Sequence, residues 1–356
     1  MIKVLVVDDS PVARELLVHL LRSDPRIEVV GTAKNGTEAL EAVLRTNPDL
    51  VTMDFHMPAM NGLDATRMIM ETHPVPIIIV SGSCTIRETV TSFHAMEAGA
   101  LAAVSRPPGI GHRDHERAVK EFLLTVKLMS EVKVVRRWPR KVDQRSDSAV
   151  FQQEVKKAET EIRLIAIGAS TGGPLAIQTI LAALPKDLSV PLLIVQHMSS
   201  GFVHGFAEWL TQTSGFPTHI AIDNEHPRAG HAYVAPDTHH LGVKAGGRIQ
   251  LSEDQPEKGV RPSVSYLFRS VARIYDRKAI GVLLTGMGKD GAAEMKLMKE
   301  KGAVTIAQDA TSAIVNGMPG EAVRIGAAVY VFPPDRIAAA LVNIINKREL
   351  DTNRAG

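Results

Sequence analysis

Two sets of residues in this 356-residue chain have the types and spacing that chemistry requires. The first is Gly168-Ala169-Ser170-Thr171-Gly172 within "IAIGASTGGP", where an apolar run ends in small residues and Pro174 opens a helix-compatible run, Leu175 to Leu184. A G-x-S-x-G spacing lifts a serine hydroxyl onto a sharp strand-to-helix turn. A dinucleotide cradle needs glycine where Ser170 stands, and a P-loop needs lysine where Pro174 stands, so neither phosphate-binding pattern fits. A serine nucleophile needs a base, and the base needs an orienting acid. His197 closes the apolar run "PLLIVQHM", and Asp290 follows another in "LLTGMGKDGA". The chain order Ser, His, Asp differs from the Ser, Asp, His of α/β-hydrolases, so the same chemistry would sit on a different fold. The backbone N–H groups of Gly286, Met287 and Gly288 are candidates for an oxyanion hole. Each member has a bland reading: a strand-end histidine is commonly structural, and Asp290 before Gly291 could cap the helix expected near Ala292.

The second set is acidic. Asp8 and Asp9 end "KVLVVDD", and Asp54 ends "DLVTMD". In a parallel sheet the carboxyl ends of the strands form the ligand crevice. Three carboxylates converging there repel one another unless a hard cation such as Mg²⁺ sits among them. Ser81 and Arg106 close two further strands, so a hydroxyl and a cation join the acids. That combination suits a phosphoryl acceptor better than an acid pair capping the helix at Pro11.

In order and spacing, "VVDDS", "DLVTMDFHMPAMNGLDATR", "IIIVSG" and "SRP" resemble the receiver domain of two-component response regulators. The resemblance implies that Asp54 accepts phosphate and that Asp8 and Asp9 bind Mg²⁺ with Asp54 and the His56 backbone carbonyl. It makes Ser81 the switch hydroxyl, with Arg106 where the family usually has lysine and Ala103 where it usually has an aromatic. Arginine keeps the charge but presents a planar fork instead of a compact ammonium. Further on, "IGASTGGP", "VQHM", "HAYVAP", "RPSVSYLF", "LLTGMGKDGA" and "TIAQD" closely resemble the catalytic domain of chemotaxis protein-glutamate methylesterases. That resemblance implies Ser170 as nucleophile, His197 as general base and Asp290 as its orienting acid. Thr171 and Met287 would lie beside the ester, with the Met287 N–H in the oxyanion hole. The implied substrates are γ-glutamyl methyl esters on methylated chemoreceptors, with receptor glutamines deamidated by the same acyl-enzyme route. A chemotaxis histidine kinase would be the phosphodonor, and the esterase part would need no cofactor. The reading from another class is a non-catalytic regulator whose second domain binds a partner when Asp54 is phosphorylated.

The elements that must position these residues alternate in type. Up to residue 125, five short apolar runs alternate with helical patterns, as in a five-stranded parallel flavodoxin-like sheet covered on both faces. Residues 126–158 dissolve into charge and read as an exposed linker, whose basic cluster of Arg136, Arg137, Arg140 and Lys141 could dock a partner. Residues 159–350 carry a second α/β pattern, expected to be a mostly parallel doubly wound sheet with an antiparallel hairpin near 230–251.

Composition bounds the rest. The net charge of +2 is too near zero to make nucleic acid the main partner. The single cysteine, Cys84, excludes an internal disulfide framework and reads as a small packed residue. No apolar run approaches the roughly 20 residues of a membrane span, so a cytoplasmic protein without membrane insertion is expected. His226, His231, His239 and His240 lack metal-ligand spacing.

Overall fold

A computed structural model of the chain describes residues 1–82, 85–132, 134 and 160–345. Cys84 and the basic cluster at 136–141 lie outside the described residues. The chain divides into two compact units, residues 1–148 and 149–356.

The first unit alternates strand and helix throughout: β1 (Ile2–Val7), α1 (Pro11–Arg22), β2 (Ile27–Ala33), α2 (Gly36–Thr46), β3 (Leu50–Met53), α3 (Gly62–Thr72), β4 (Ile77–Ser81), α4 (Ile86–Glu97), β5 (Ala102–Ser105) and α5 (His115–Ser130). The strands pair in parallel in the order β2-β1-β3-β4-β5. Val4–Val7, Leu50–Met53 and Ile77–Ser81 are fully buried runs, as a sheet covered on both faces demands. The first four helices of this unit start on local side-chain caps, while α5 has none. Ser10 accepts from the Ala13 N–H, Asn35 from Glu38 and Asn61 from Asp64. Strand order reverses beside β1, so β1 and β3 open a crevice at their carboxyl ends. Helix α5 continues through Ser130, into the stretch expected to be linker, because Val126 and Met129 are buried against the sheet.

The second unit is larger: β6 (Leu164–Ala169), α6 (Gly173–Ala183), β7 (Leu192–Gln196), α7 (Val203–Ser214), β8 (Thr218–Ile220), β9 (Ala232–Val234), β10 (His240–Lys244), β11 (Arg248–Ser252), α8 (Val264–Ile274), β12 (Ala279–Leu283), α9 (Ala292–Glu300), β13 (Val304–Gln308), α10 (Met318–Arg324), β14 (Tyr330–Phe332) and α11 (Pro334–Ile345). Seven strands form one parallel sheet in the order β14-β13-β12-β6-β7-β9-β8, while β10 and β11 form an antiparallel pair. The hairpin expected near 230–251 is therefore shorter than anticipated. The first strand of that stretch, β9, instead lies between β7 and β8 in the large sheet, paired in parallel with both and buried at all three residues.

Helices α6, α7 and α11 pack together on one face, and α8, α9 and α10 on the other. Helix α8 is the centre of the second layer. Its Leu267, Phe268, Val271 and Ala272 are buried with Leu164, Ala166, Met295 and Met298, while Arg269 and Arg273 keep to the outer side. Phe268→Ala removes a fully buried ring and is expected to cost about 3–5 kcal/mol. A urea midpoint for the second unit within experimental error of wild type would contradict this account of the core.

Candidate functional site

The carboxyl ends of β6, β7 and β12 meet where the order of the second sheet reverses, which is where an open α/β sheet offers a crevice. Ser170 stands at the end of β6, partly exposed. Its N–H donates to the Thr285 carbonyl at 3.0 Å, and its own carbonyl accepts from the Gly173 N–H at 2.8 Å. Gly172, at φ +79°, supplies the left-handed step that turns the strand into α6. The His197 N–H donates to the Ala169 carbonyl at 3.0 Å, holding the end of β7 beside the serine turn.

The His197 ring meets Asp290, with Nε2 3.0 Å from Oδ2. Asp290 is 6% exposed and is fixed by three other donors. The Val264 N–H reaches Oδ2 at 2.7 Å, the Ser265 N–H reaches Oδ1 at 3.0 Å, and the Ser263 hydroxyl reaches Oδ1 at 2.9 Å. Ser263 is the N-cap of α8, so the carboxylate sits on the positive end of that helix. Burial alone would raise its pKa. Hydrogen bonding and the charge of His197, with the bonds from Ser265 and Val264, outweigh burial and hold the carboxyl well below the usual range. Asp290 therefore turns back to α8 and is not the cap of α9, whose N-cap is Gly291 without a side-chain bond.

An ionised carboxylate only accepts, so the proton of neutral His197 sits on Nε2 and its Nδ1 is left as the basic nitrogen. This reverses the nitrogen use of the chymotrypsin-like triad. Among the described residues Ser170 Oγ makes no hydrogen bond to His197. Such bonds are commonly long without substrate and tighten on binding.

The other expected members lie at the same edge. The Thr171 carbonyl accepts from Thr285 Oγ1 at 2.9 Å, and Thr285 Oγ1 also accepts from the Val315 N–H at 3.0 Å. Gly286 packs against Ser170, since a Cβ placed there would come 2.6 Å from Ser170 Cβ. The Gly286 carbonyl accepts from the N–H groups of Gly317 and Met318, which fixes the base of the loop carrying Met287. Met287 itself is 38% exposed. Sequence reasoning missed Ser263, Ser265, Thr285, Gln196 and the 315–318 segment. Ser263 alone carried a usable signal, an N-cap serine directly before an apolar helix.

In the first unit Asp8, Asp9 and Asp54 bring carboxylate oxygens within 4.8 Å of one another. Burial first, then the charges of Asp8 and Asp9, push the Asp54 carboxyl up to about 7, against an opposing backbone bond at Phe55 and the charge of Arg106. Burial also raises Asp8. Acids that must hold protons to coexist are short of positive charge, and their all-oxygen donor set is that of a hard divalent cation. The Arg106 N–H donates to the Ser81 carbonyl at 2.8 Å, and its Nη1 lies 3.4 Å from Asp8 Oδ2. Ser81 is buried at the end of β4, and Ala103 lies on β5. The His56 side chain faces Glu88, with Nε2 3.8 Å from Oε1.

Fold and sites together define a two-unit response regulator with an α/β effector. Residues 4–111 match the response regulator receiver domain, and residues 165–341 match CheB methylesterase. The protein-glutamate methylesterase/protein-glutamine glutaminase of Nitrosospira multiformis is 53% identical over 348 residues, covering 98% of this chain and 98% of its own length. The corresponding protein numbered 4 in Geobacter metallireducens is 54% identical over 345 residues, covering 97% and 99%. The crystal structure of the Thermotoga maritima CheB methylesterase catalytic domain superposes with a TM-score of 0.50 at 37% identity, covering 52% of this chain and all of that one. The chain belongs to the protein-glutamate methylesterase/protein-glutamine glutaminase family.

The raised Asp54 gives a pH signature. Folded, Asp54 keeps its proton up to about pH 7; unfolded, it loses it near 3.8. Between those values the folded state binds more protons, so this group's contribution to stability falls as pH rises and stays lost above about 7. With divalent cations chelated, Asp54→Asn should raise the thermal midpoint of the first unit at pH 8 and raise it less at pH 5. A gain independent of pH would show that Asp54 ionisation is not what strains the site.

Proposed function

We propose that the second unit is a serine esterase that hydrolyses glutamate γ-methyl esters on chemoreceptors, under control of a phosphoacceptor in the first. The observation that carries this reading is the His197–Asp290 pair, with its acid fixed by the start of α8 at the strand edge that bears Ser170. His197 Nδ1 takes the proton of Ser170 Oγ as the oxygen attacks the ester carbonyl carbon. The carbonyl oxygen gains negative charge against backbone donors of the Thr171 and Met287 turns. When the tetrahedral adduct collapses, the methoxy oxygen receives the proton from His197 and leaves as methanol. Water, deprotonated by the same Nδ1, then attacks the glutamyl-serine ester, and the serine oxygen recovers its proton. For a glutamine side chain the group leaving in the first half is ammonia instead. Asp290 stays ionised throughout and stabilises the imidazolium through Nε2–H.

In the first unit Asp54 is the phosphate acceptor, with a histidine kinase as phosphodonor. Asp8, Asp9, Asp54 and the His56 carbonyl would hold Mg²⁺, which when bound offsets the charge of the acids and the incoming phosphoryl group. Ser81 and Arg106 lie at strand ends from which a hydroxyl and a guanidinium can meet that group. The organisation that goes with this reading is a receiver over residues 1–125, carried on by α5 through Ser130, then a linker up to residue 158 and a catalytic domain over 159–350. A cytoplasmic location is consistent with it, since among the described residues no helix is long and apolar enough to cross a membrane.

Ser170→Ala should abolish methanol release from methylated receptor membranes while leaving the melting profile unchanged. Asp290→Asn should lower kcat by about 10⁴-fold, by leaving His197 in the wrong tautomer. Asp54→Asn should hold the full-length enzyme at its basal rate with phosphodonor and Mg²⁺ present. Wild-type turnover in Ser170→Ala would overturn the serine mechanism, whereas absence of methanol release by the wild-type protein would leave a binding regulator as the better account.

A further inference from the structure

The last residue of β7, Gln196, is 4% exposed, and its side chain lies under the turn between β6 and α6. Its Nε2 donates to two carbonyls, that of Ser170 at 2.8 Å and that of His197 at 2.8 Å. Both partners only accept, so the orientation of the amide follows without ambiguity: the nitrogen faces them, and Oε1 faces away. That Oε1 is buried and, among the described residues, has no hydrogen-bond partner. It lies where a Cβ on Gly173 would stand, so the glutamine fits only because residue 173 lacks a side chain. A buried unpaired acceptor is unfavourable, and an apolar side chain of the same shape would avoid it. The arrangement therefore gives up stability in return for two bonds, and both go to the backbone of residues with a proposed chemical role.

We propose that Gln196 is a positioning residue for ester hydrolysis: it clamps the main chain of the nucleophile to that of the general base and so sets the approach of Ser170 Oγ to His197 Nδ1. The inference rests on the esterase reading above. The existing backbone bond from the His197 N–H to the Ala169 carbonyl holds the two strand ends in register, as any parallel pair would. It does not define the direction in which each chain leaves its strand. The Gln196 amide does, because it spans from the carbonyl after β6 to the carbonyl after β7. Gly173 is the matching half of the device, reserving the space that the amide fills. Gln196 touches neither substrate nor reacting atom in this arrangement and acts through the two residues that do.

The test uses full-length protein, with two assays run side by side: labelling of Ser170 by a fluorophosphonate and methanol release from methylated receptor membranes. Gln196→Met keeps length and loses both donors. It should label about 10- to 100-fold more slowly and lose kcat by a similar factor, with KM within about twofold of wild type, since small misplacement of reacting groups costs that much. Gln196→Glu should behave alike and serves if the methionine variant does not fold, as judged by circular dichroism. Gly173→Ala, whose Cβ would meet both Gln196 Oε1 and Ala169 Cβ, should show the same kcat-selective loss. Wild-type labelling in a folded Gln196 variant, or a change in KM alone, would overturn the positioning role. Failure of the wild-type protein to label at Ser170 would instead remove the esterase reading and this inference with it.

Discussion

The seating of the Asp290 carboxylate on the first turn of α8 is the constraint from which the second unit's chemistry follows. An acid so thoroughly buried would ordinarily keep its proton. Two backbone N–H groups, a capping hydroxyl and the imidazole N–H surround it instead, so it is held as an anion. The anion then dictates which nitrogen of His197 carries the proton, and hence which one is basic. Those donors exist only because α8 begins at that point. The helix begins there because Ser263 caps it and because its apolar stripe, from Leu267 to Ala272, is buried against β6 and α9. Core packing and proton chemistry are two ends of the same helix.

The first unit solves a different electrostatic problem at an equivalent place in its sheet. There like charges are brought together, and nothing among the described residues fully compensates them. Arg106 engages Asp8 through one arm of its fork, yet Asp54 remains raised to about 7. One unit stabilises its charge with its own helix, while the other keeps a deficit of positive charge that a bound cation can fill. Both sites lie at strand carboxyl ends beside a reversal of strand order, the position that open α/β sheets provide.

Much of this architecture was legible in the sequence, for reasons that can be traced. The long strands read clearly because "VLVV", "IIIV", "LIAIGA" and "LLIV" are continuous apolar runs of the kind that a sheet buried on both faces requires. Short strands escaped notice: β8 is "THI" and β14 is "YVF", three residues each, too few for any periodicity. The nearby "AYV" of β9, inside "HAYVAP", reads as a strand, but three residues do not say whether it joins the large sheet or the antiparallel pair. Ser170 and His197 stood out because each closes an apolar run in a residue type that chemistry uses, and Asp290 because it follows another within a glycine-rich turn. Their supports did not. Ser265 and Asp290 are 25 positions apart and meet only through the packing of α8 on the sheet. A glutamine ending a strand carries no signature until the carbonyls it bridges are seen.

The three-residue strands have a consequence of their own. A sheet's outermost strand carries a row of unpaired backbone donors and acceptors, and a long flat one is a template on which a foreign strand can grow. Here the seven-stranded sheet ends in β14 on one side and β8 on the other, each only three residues long. The chain thus tapers its broadest hydrogen-bonded surface to two stubs, offering little purchase to edge-on association. An enzyme that must handle the extended side chains of other proteins can do so without its own sheet recruiting their backbones.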